Sequence, residues 1–318
     1  MQQERGIRYF PIALFTSVMG FSGVTIAVKN MEHMYGWNSS ASMILLGISS
    51  LLFLFNGGIL LYRLIRHPGE VKKDFNHPVK MNFFAAISIS LLLLAVAFLD
   101  IHERFSFVIW IFGALLQLSL TLAIITKLMW KSSFQINHYS PVWLIPIVGN
   151  VVAPLAGTHH VSEDVNWLFF STGIVFSIVY LTLFINRMFF RERLPEPLTP
   201  TLFILLAPPS IGFMSYVKIV GEIDSFASVL YGIAFFIGLL LLVQFKIFLN
   251  VPFFISSWAY LFPSAAITIA TSVIYAETDK VVYKWLFTVQ IVGLLLLVIY
   301  LTWKTIQLMK QKSLCVKQ

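Results

Sequence analysis

Ten apolar stretches, each about as long as a lipid bilayer is thick, leave this chain little freedom of fold class. They cover approximately residues 9–28, 41–62, 82–99, 105–126, 141–157, 166–186, 201–217, 225–245, 252–275 and 283–303 of the 318. A hydrocarbon core needs about 20 apolar residues per crossing helix. Lipid offers no partner to a bare backbone, so runs this long and continuous are expected to form helices rather than barrel strands. Hydrophobic residues make up 58% of the chain and charged ones 11%, where soluble domains carry roughly 25% charged residues. The expected architecture is an all-α integral membrane protein: a single transmembrane domain over residues 1–318, with no sizeable soluble domain. The first run follows Arg5 and Arg8, as in a signal peptide. Its length, the early Pro11 and the closing Lys29-Asn30, without a small-x-small cleavage site, instead mark a retained first helix.

Charge placement supports the division. The 14 acidic residues fall in the proposed loops or tails. Assigning the 22 Lys and Arg to alternate sides puts 17 on the side that holds both termini. The other five are Lys29, Arg104, Lys218, Lys280 and Lys284. Cytoplasmic loops collect basic residues, so both termini are expected in the cytoplasm, in a cell (plasma or inner) membrane. The same rule accounts for the formal charge of +8 without a nucleic-acid partner. Trp130, Trp167, Trp285 and Trp303 fall near span ends, where interfacial anchors sit. The single cysteine, Cys315, excludes an intrachain disulfide and a cysteine-based metal site.

Prolines divide the spans into two kinds. Pro11, Pro141, Pro146, Pro154, Pro208, Pro209, Pro252 and Pro263 lie in odd spans, Pro78 immediately precedes the third, and the even spans have none. Proline removes a backbone hydrogen bond and kinks a helix, which membrane helices tolerate where the freed carbonyl meets protein or water. The pattern predicts five helical hairpins, with an inner ring of kinked odd helices around a pore and an outer ring of even helices facing lipid.

Ionisable residues inside a membrane usually mark proton relays, ion sites or voltage sensors. None lies well inside a proposed span, which argues against a pump, a proton antiporter with a buried carboxylate, or an intramembrane enzyme. A central path would be lined by aromatic, small and polar residues; the candidates are Phe15, Gly20, Ser88, Asn150, Pro154, Pro208 and Ser257. His159-His160 with Glu163 and Asp164 is the only cluster resembling a metal site and reads as an ordinary polar loop; no metal and no cofactor is expected. Arg63, Arg66, Lys72, Lys73 and Lys80 form the densest basic loop, which topology explains and which would also draw anions. Asn56-Gly57-Gly58 reads as a helix-packing notch.

Five short motifs, one per odd span and in order, carry a family resemblance. They are Phe10-Pro11-Ile12-Ala13-Leu14-Phe15 followed by Gly20, Asn76-His77-Pro78-Val79-Lys80-Met81-Asn82-Phe83-Phe84, Pro146-Ile147-Val148-Gly149-Asn150, Leu206-Ala207-Pro208-Pro209-Ser210 and Trp258-Ala259-Tyr260-Leu261-Phe262-Pro263. In these the chain resembles the family that joins bacterial tellurite-resistance TehA proteins, plant guard-cell slow anion channels and the yeast malate permease. The resemblance implies a homotrimer with one pore per protomer. It also implies a pore gate at Phe262, packed near Gly20. Where the family often has Gly, this chain has Ala13 and Thr16, so its pore is expected to be narrower or differently lined near span 1. Position 80 is Lys where Arg is common.

The expected function is a gated channel for small monovalent anions such as chloride or nitrate, with the lipid bilayer and such anions as its partners. The alternative is a secondary transporter of C4-dicarboxylates, or an exporter associated with tellurite or toxic-ion resistance. An enzyme is not expected, for want of catalytic groups at depth.

Overall fold

A computed structural model describes residues 6–131, 135–311 and 313–315; Arg5, Lys312 and Lys317, counted above, lie outside them. The described residues hold ten helices long and apolar enough to cross a membrane. They are α1 (Ile12–Tyr35), α2 (Ser40–Arg66), α3 (Lys80–Phe98), α4 (Glu103–Trp130), α5 (Pro141–His160), α6 (Glu163–Phe190), α7 (Glu196–Val220), α8 (Ser225–Val243), α9 (Ile255–Thr278) and α10 (Val281–Lys310). Short helices Pro68–Asn76 and Phe245–Asn250 follow α2 and α8. The two ends of the described chain meet on one face, where the Gly6 N–H donates to the Cys315 carbonyl at 3.1 Å.

Odd and even helices differ in local form. Each odd helix opens as a 3-10 helix, at Ile12–Leu14, Lys80–Phe84, Pro141–Leu144, Glu196–Leu206 and Ile255–Tyr260, and continues as α-helix. The even helices are α-helical from end to end. Pro146 and Pro208 stand in the first turn of the α-helical part, where a missing N–H costs least. Pro154 breaks α5 into Ile145–Val152 and Pro154–His160.

Burial separates the same two sets. Between 67% and 89% of the most apolar stretch of each odd helix is buried, against 17% to 33% for the even ones. The odd helices touch in cyclic order: α1 on α3, α3 on α5, α5 on α7, α7 on α9 and α9 back on α1. Each even helix packs on the odd helix before it in sequence and also touches the odd helix after it, α10 reaching α1.

Outer side chains meet the carbonyls of the bent helices. Asn56 of α2 donates to the Leu14 carbonyl at 3.3 Å, where α1 changes from 3-10 to α. Trp110 of α4 donates to the Ala153 carbonyl at 2.8 Å, at the α5 break. Gln117 and Thr121 of α4 both donate to the Pro146 carbonyl, at 2.7 and 2.8 Å. Asn56, and not the glycines beside it, therefore makes the contact expected of a packing notch: nothing lies within 4 Å of a Cβ built at Gly57 or Gly58.

Several helices run past their hydropathy boundaries, and charges enter their end turns. Glu32 lies in the last turn of α1, not in a loop as expected, and is buried. Its carboxylate accepts the Ala41 and Ser42 N–H groups at 2.9 and 3.1 Å, capping α2. Arg63, at the far end of α2, is also buried. It donates to the Arg8 and Phe10 carbonyls at 3.0 and 2.8 Å and to Asp74 at 2.7 Å. Lys80 approaches Asp74 at 3.5 Å and Lys73 pairs with Glu70 at 2.7 Å. Two members of the basic loop, Arg63 and Lys80, thus serve to dock the N-terminal segment and the Pro68–Asn76 helix, while the Lys73–Glu70 pair lies within that helix.

Among the glycine contacts, α5 and α6 bring backbone closest. A Cβ at Gly173 would stand 2.8 Å from the Val151 backbone nitrogen, a contact no rotamer change relieves. Gly173→Ala is expected to destabilise the protein by about 1–3 kcal/mol, read as a lower unfolding midpoint in detergent. Gly232→Ala, on an open face of α8, should leave the midpoint unchanged.

Candidate functional site

The cyclic packing of the odd helices leaves two spaces along their common axis. The wide one, about 680 Å³, lies among their C-terminal halves. All five contribute: Lys29 from α1, Asp100 just after α3, His159 from α5, Lys218 from α7 and Glu277 from α9 stand toward its mouth. Deeper, its wall is made of side chains such as Leu93, Ile211, Met214 and Ile269. The narrow one, about 20 Å³, lies among the N-terminal parts of the same five helices, bordered by Thr16, Met19, Ile89, Ile145, Val148, Ile204 and Ala259 among others. Among the described residues, Phe262 alone borders both.

Phe262 stands one residue into the α-helical part of α9, where the 3-10 opening ends at Tyr260. It is 6% exposed, so its ring is turned away from lipid and borders both spaces. Two glycines of α1 make room for this turn of α9. A Cβ at Gly20 would lie 2.6 Å from a Leu261 methyl, and one at Gly23 would lie 3.5 Å from the Phe262 ring. Gly20 therefore seats Leu261, and the glycine beside the ring is Gly23. The two are three apart and share a helix face, which is the signal that would have found Gly23 in the sequence.

The other candidates lie at helix contacts, and none borders either space. The Phe15 ring packs edge-on to Phe53 of α2, with centroids 6.1 Å apart. Ser88 donates to the Ala85 carbonyl and to Gln117 of α4, at 2.9 and 2.6 Å. Asn150 donates to Thr121 of α4 at 2.9 Å and to the Pro146 carbonyl at 3.0 Å. The Ser257 hydroxyl accepts the Phe254 N–H at 3.2 Å at the opening of α9. Pro154 and Pro208 shape the backbone from within, and their neighbours Leu155 and Ala207 line the spaces instead. Among the described residues no group of three or more His, Cys, Asp and Glu is placed to hold a metal ion. His159 borders the wide cavity, while His160 turns to α4 and meets the Ser106 hydroxyl at 2.9 Å.

The mouth of the wide cavity balances its charges. Lys29 and Asp100 form an ion pair and a short hydrogen bond. Chiefly through that bond, the Asp100 carboxyl is held below its ordinary value of 3.8. Lys218, His159 and Glu277 complete the rim, and the charges of Lys218 and His159 also favour the Asp100 carboxylate.

Comparison with known proteins places these features in context. The family profile described as SLAC1, voltage-dependent anion channel, matches residues 9–306. An uncharacterized transporter of Methanocaldococcus jannaschii is 26% identical, over 85% of this chain and 86% of its own length. The S-type anion channel SLAH3 of Arabidopsis thaliana is 28% identical over 92% of this chain; the match spans about half, 47%, of that plant protein. A tellurite resistance protein TehA homolog of Haemophilus influenzae is 24% identical over 90% of this chain and 89% of its own length.

The Lys29–Asp100 pair sets a pH dependence. Because the folded pKa of Asp100 is depressed, the pair contributes above the ordinary carboxyl value and is lost as pH falls through the lower, folded one. Lys29→Met is expected to return the Asp100 titration toward the ordinary range. Carboxyl infrared difference spectra of wild type and variant, referenced to Asp100→Asn, measure the shift.

Proposed function

We propose that this chain, which belongs to the SLAC1 family of voltage-dependent anion channels, passively conducts small monovalent anions such as chloride or nitrate and is closed by Phe262. The observation that carries the reading is the position of that ring, between two spaces bordered by the same five helices. Below the rim the lining holds no charged side chain among the described residues. An anion in such a path meets helix dipoles and polarisable walls and no counter-charge deep enough to trap it. At the ring it must lose its water, at a cost of several kcal/mol, and moving the ring aside removes that cost.

The lipid bilayer is its solvent, in a cell membrane, with both termini in the cytoplasm, an orientation supported by the 17-to-five distribution of Lys and Arg. That orientation turns the wide cavity outward. Each protomer of a homotrimer carries its own path, as the family resemblance implies. The second reading is a carrier of C4-dicarboxylates, or an exporter tied to tellurite resistance as the name of the Haemophilus relative suggests. Proton-coupled carriage needs a titratable group exchanging access at depth, and among the described residues the titratable groups of the cavity stand at its rim.

Reversal potentials in planar bilayers test the reading, under chloride or nitrate gradients, for wild type and Phe262→Ala. The variant is expected to conduct several-fold more than wild type and to reverse at the anion equilibrium potential. Reversal at the cation potential would overturn the channel reading. So would saturable, proton-driven dicarboxylate uptake without anion current.

A further inference from the structure

The space on the far side of Phe262 is narrow. If one ring closed the conduit, the path beyond it would widen again toward the start of the five helices, as it does toward their ends. Instead the wide cavity of about 680 Å³ is followed by a void of about 20 Å³. Side chains from the surrounding helices close in on that void: Met19 of α1, Ile89 of α3, Ile145 and Val148 of α5, and Ile204 of α7. All five are buried, none more than 5% exposed, and so fill the axis instead of fringing an open passage. A void of this size has room for about one water molecule, but a water needs two to four polar partners. The wall presents no polar surface. Its one hydroxyl, on Thr16, is committed to the Ala13 carbonyl at 2.6 Å.

We infer that the conduit carries a second barrier in series with Phe262, a dry collar of Met19, Ile89, Ile145, Val148 and Ile204 with Thr16 at its edge. The inference rests on the anion-channel reading and adds the residues that limit permeation once the ring has moved. Ile145 is the first α-helical residue of its helix, and Thr16 the second. Ile204 lies in the last turn of the 3-10 opening of α7. The collar is therefore built where the odd helices change form and within the first α-helical turn or so after it. An ion crossing it sheds its water a second time, since hydrophobic constrictions block ions by staying dry. In a series of two barriers the higher one sets the flow, so removing either alone leaves the other in control.

The test compares anion conductance in planar bilayers for wild type, Phe262→Ala, Ile204→Ala, and Phe262→Ala combined with Ile204→Ala or, more mildly, Ile204→Val. Ile204→Ala alone should stay within about twofold of wild type, because the ring still closes the path. Combined with Phe262→Ala it should conduct about tenfold more than Phe262→Ala, and Ile204→Val in the same background should fall between. Monodisperse elution and an unchanged unfolding midpoint establish folding; if Ile204→Ala fails them, the Ile204→Val pair decides by the same comparison. Equal conductance of Phe262→Ala and its Ile204 combinations overturns the collar and leaves the channel reading standing. Anion-selective current in none of these proteins overturns both.

Discussion

A backbone carbonyl inside a bilayer must find a partner in the protein, because lipid supplies none. The rest of this structure follows from how that demand is met. The five odd helices open as 3-10 helix before turning α-helical, and α5 breaks again at Pro154; such irregularities leave carbonyls without a helical partner. The neighbouring even helices carry side chains that reach them: Asn56 to Leu14, Trp110 to Ala153, and Gln117 with Thr121 to Pro146. Odd helices join in as well, Ser215 of α7 donating to the Val151 carbonyl of α5. The outer helices thus do more than shield the bent ones from lipid. In α1 and α5 they tie down the backbone where the helix changes form or breaks.

The sequence made the helices legible because hydropathy is a property of long windows, and ten windows rise above any alternative. The odd–even contrast was legible because proline has one dominant effect on a helix. Phe262 was a different matter. Nothing local distinguishes it from the other phenylalanines; the five motifs single it out, and its side chain borders both spaces. The remaining candidates are aromatic, small, polar or proline residues, and the polar ones among them illustrate a physical point. In a dry interior a hydroxyl or amide turns toward the nearest carbonyl, so Ser88 and Asn150 face α4 and the backbone. The residues that reach the axis are the aliphatic ones that composition alone could not tell from ordinary core. Thr16 is the exception, since its departure from glycine had marked it, and it does border the narrow void.

The charged residues show the limit of window-based boundaries. Glu32 and Arg63 were placed outside the spans, yet both are buried at helix ends. Each holds its charge by taking up backbone groups: Glu32 collects N–H donors of α2, and Arg63 collects carbonyls of the N-terminal segment. A loop charge and a capping charge look alike in a hydropathy plot. They differ in function, since Arg63 fixes the entrance to α1, on whose first turns Thr16 and Met19 stand.

The 3-10 openings also change reach and alignment. A 3-10 helix rises about 2.0 Å per residue and an α-helix about 1.5 Å. The 11 residues Glu196–Leu206 therefore extend about 22 Å where an α-helix would extend about 16 Å. Bilayer thickness is met here by stretching the backbone, with no added residues. A three-residue repeat also eclipses side chains at i and i+3, so Leu198, Thr201 and Ile204 stack in one file along the axis of α7. The tighter coil thereby works as a ruler and a comb at once: it lengthens the stave and keeps its teeth in a single row.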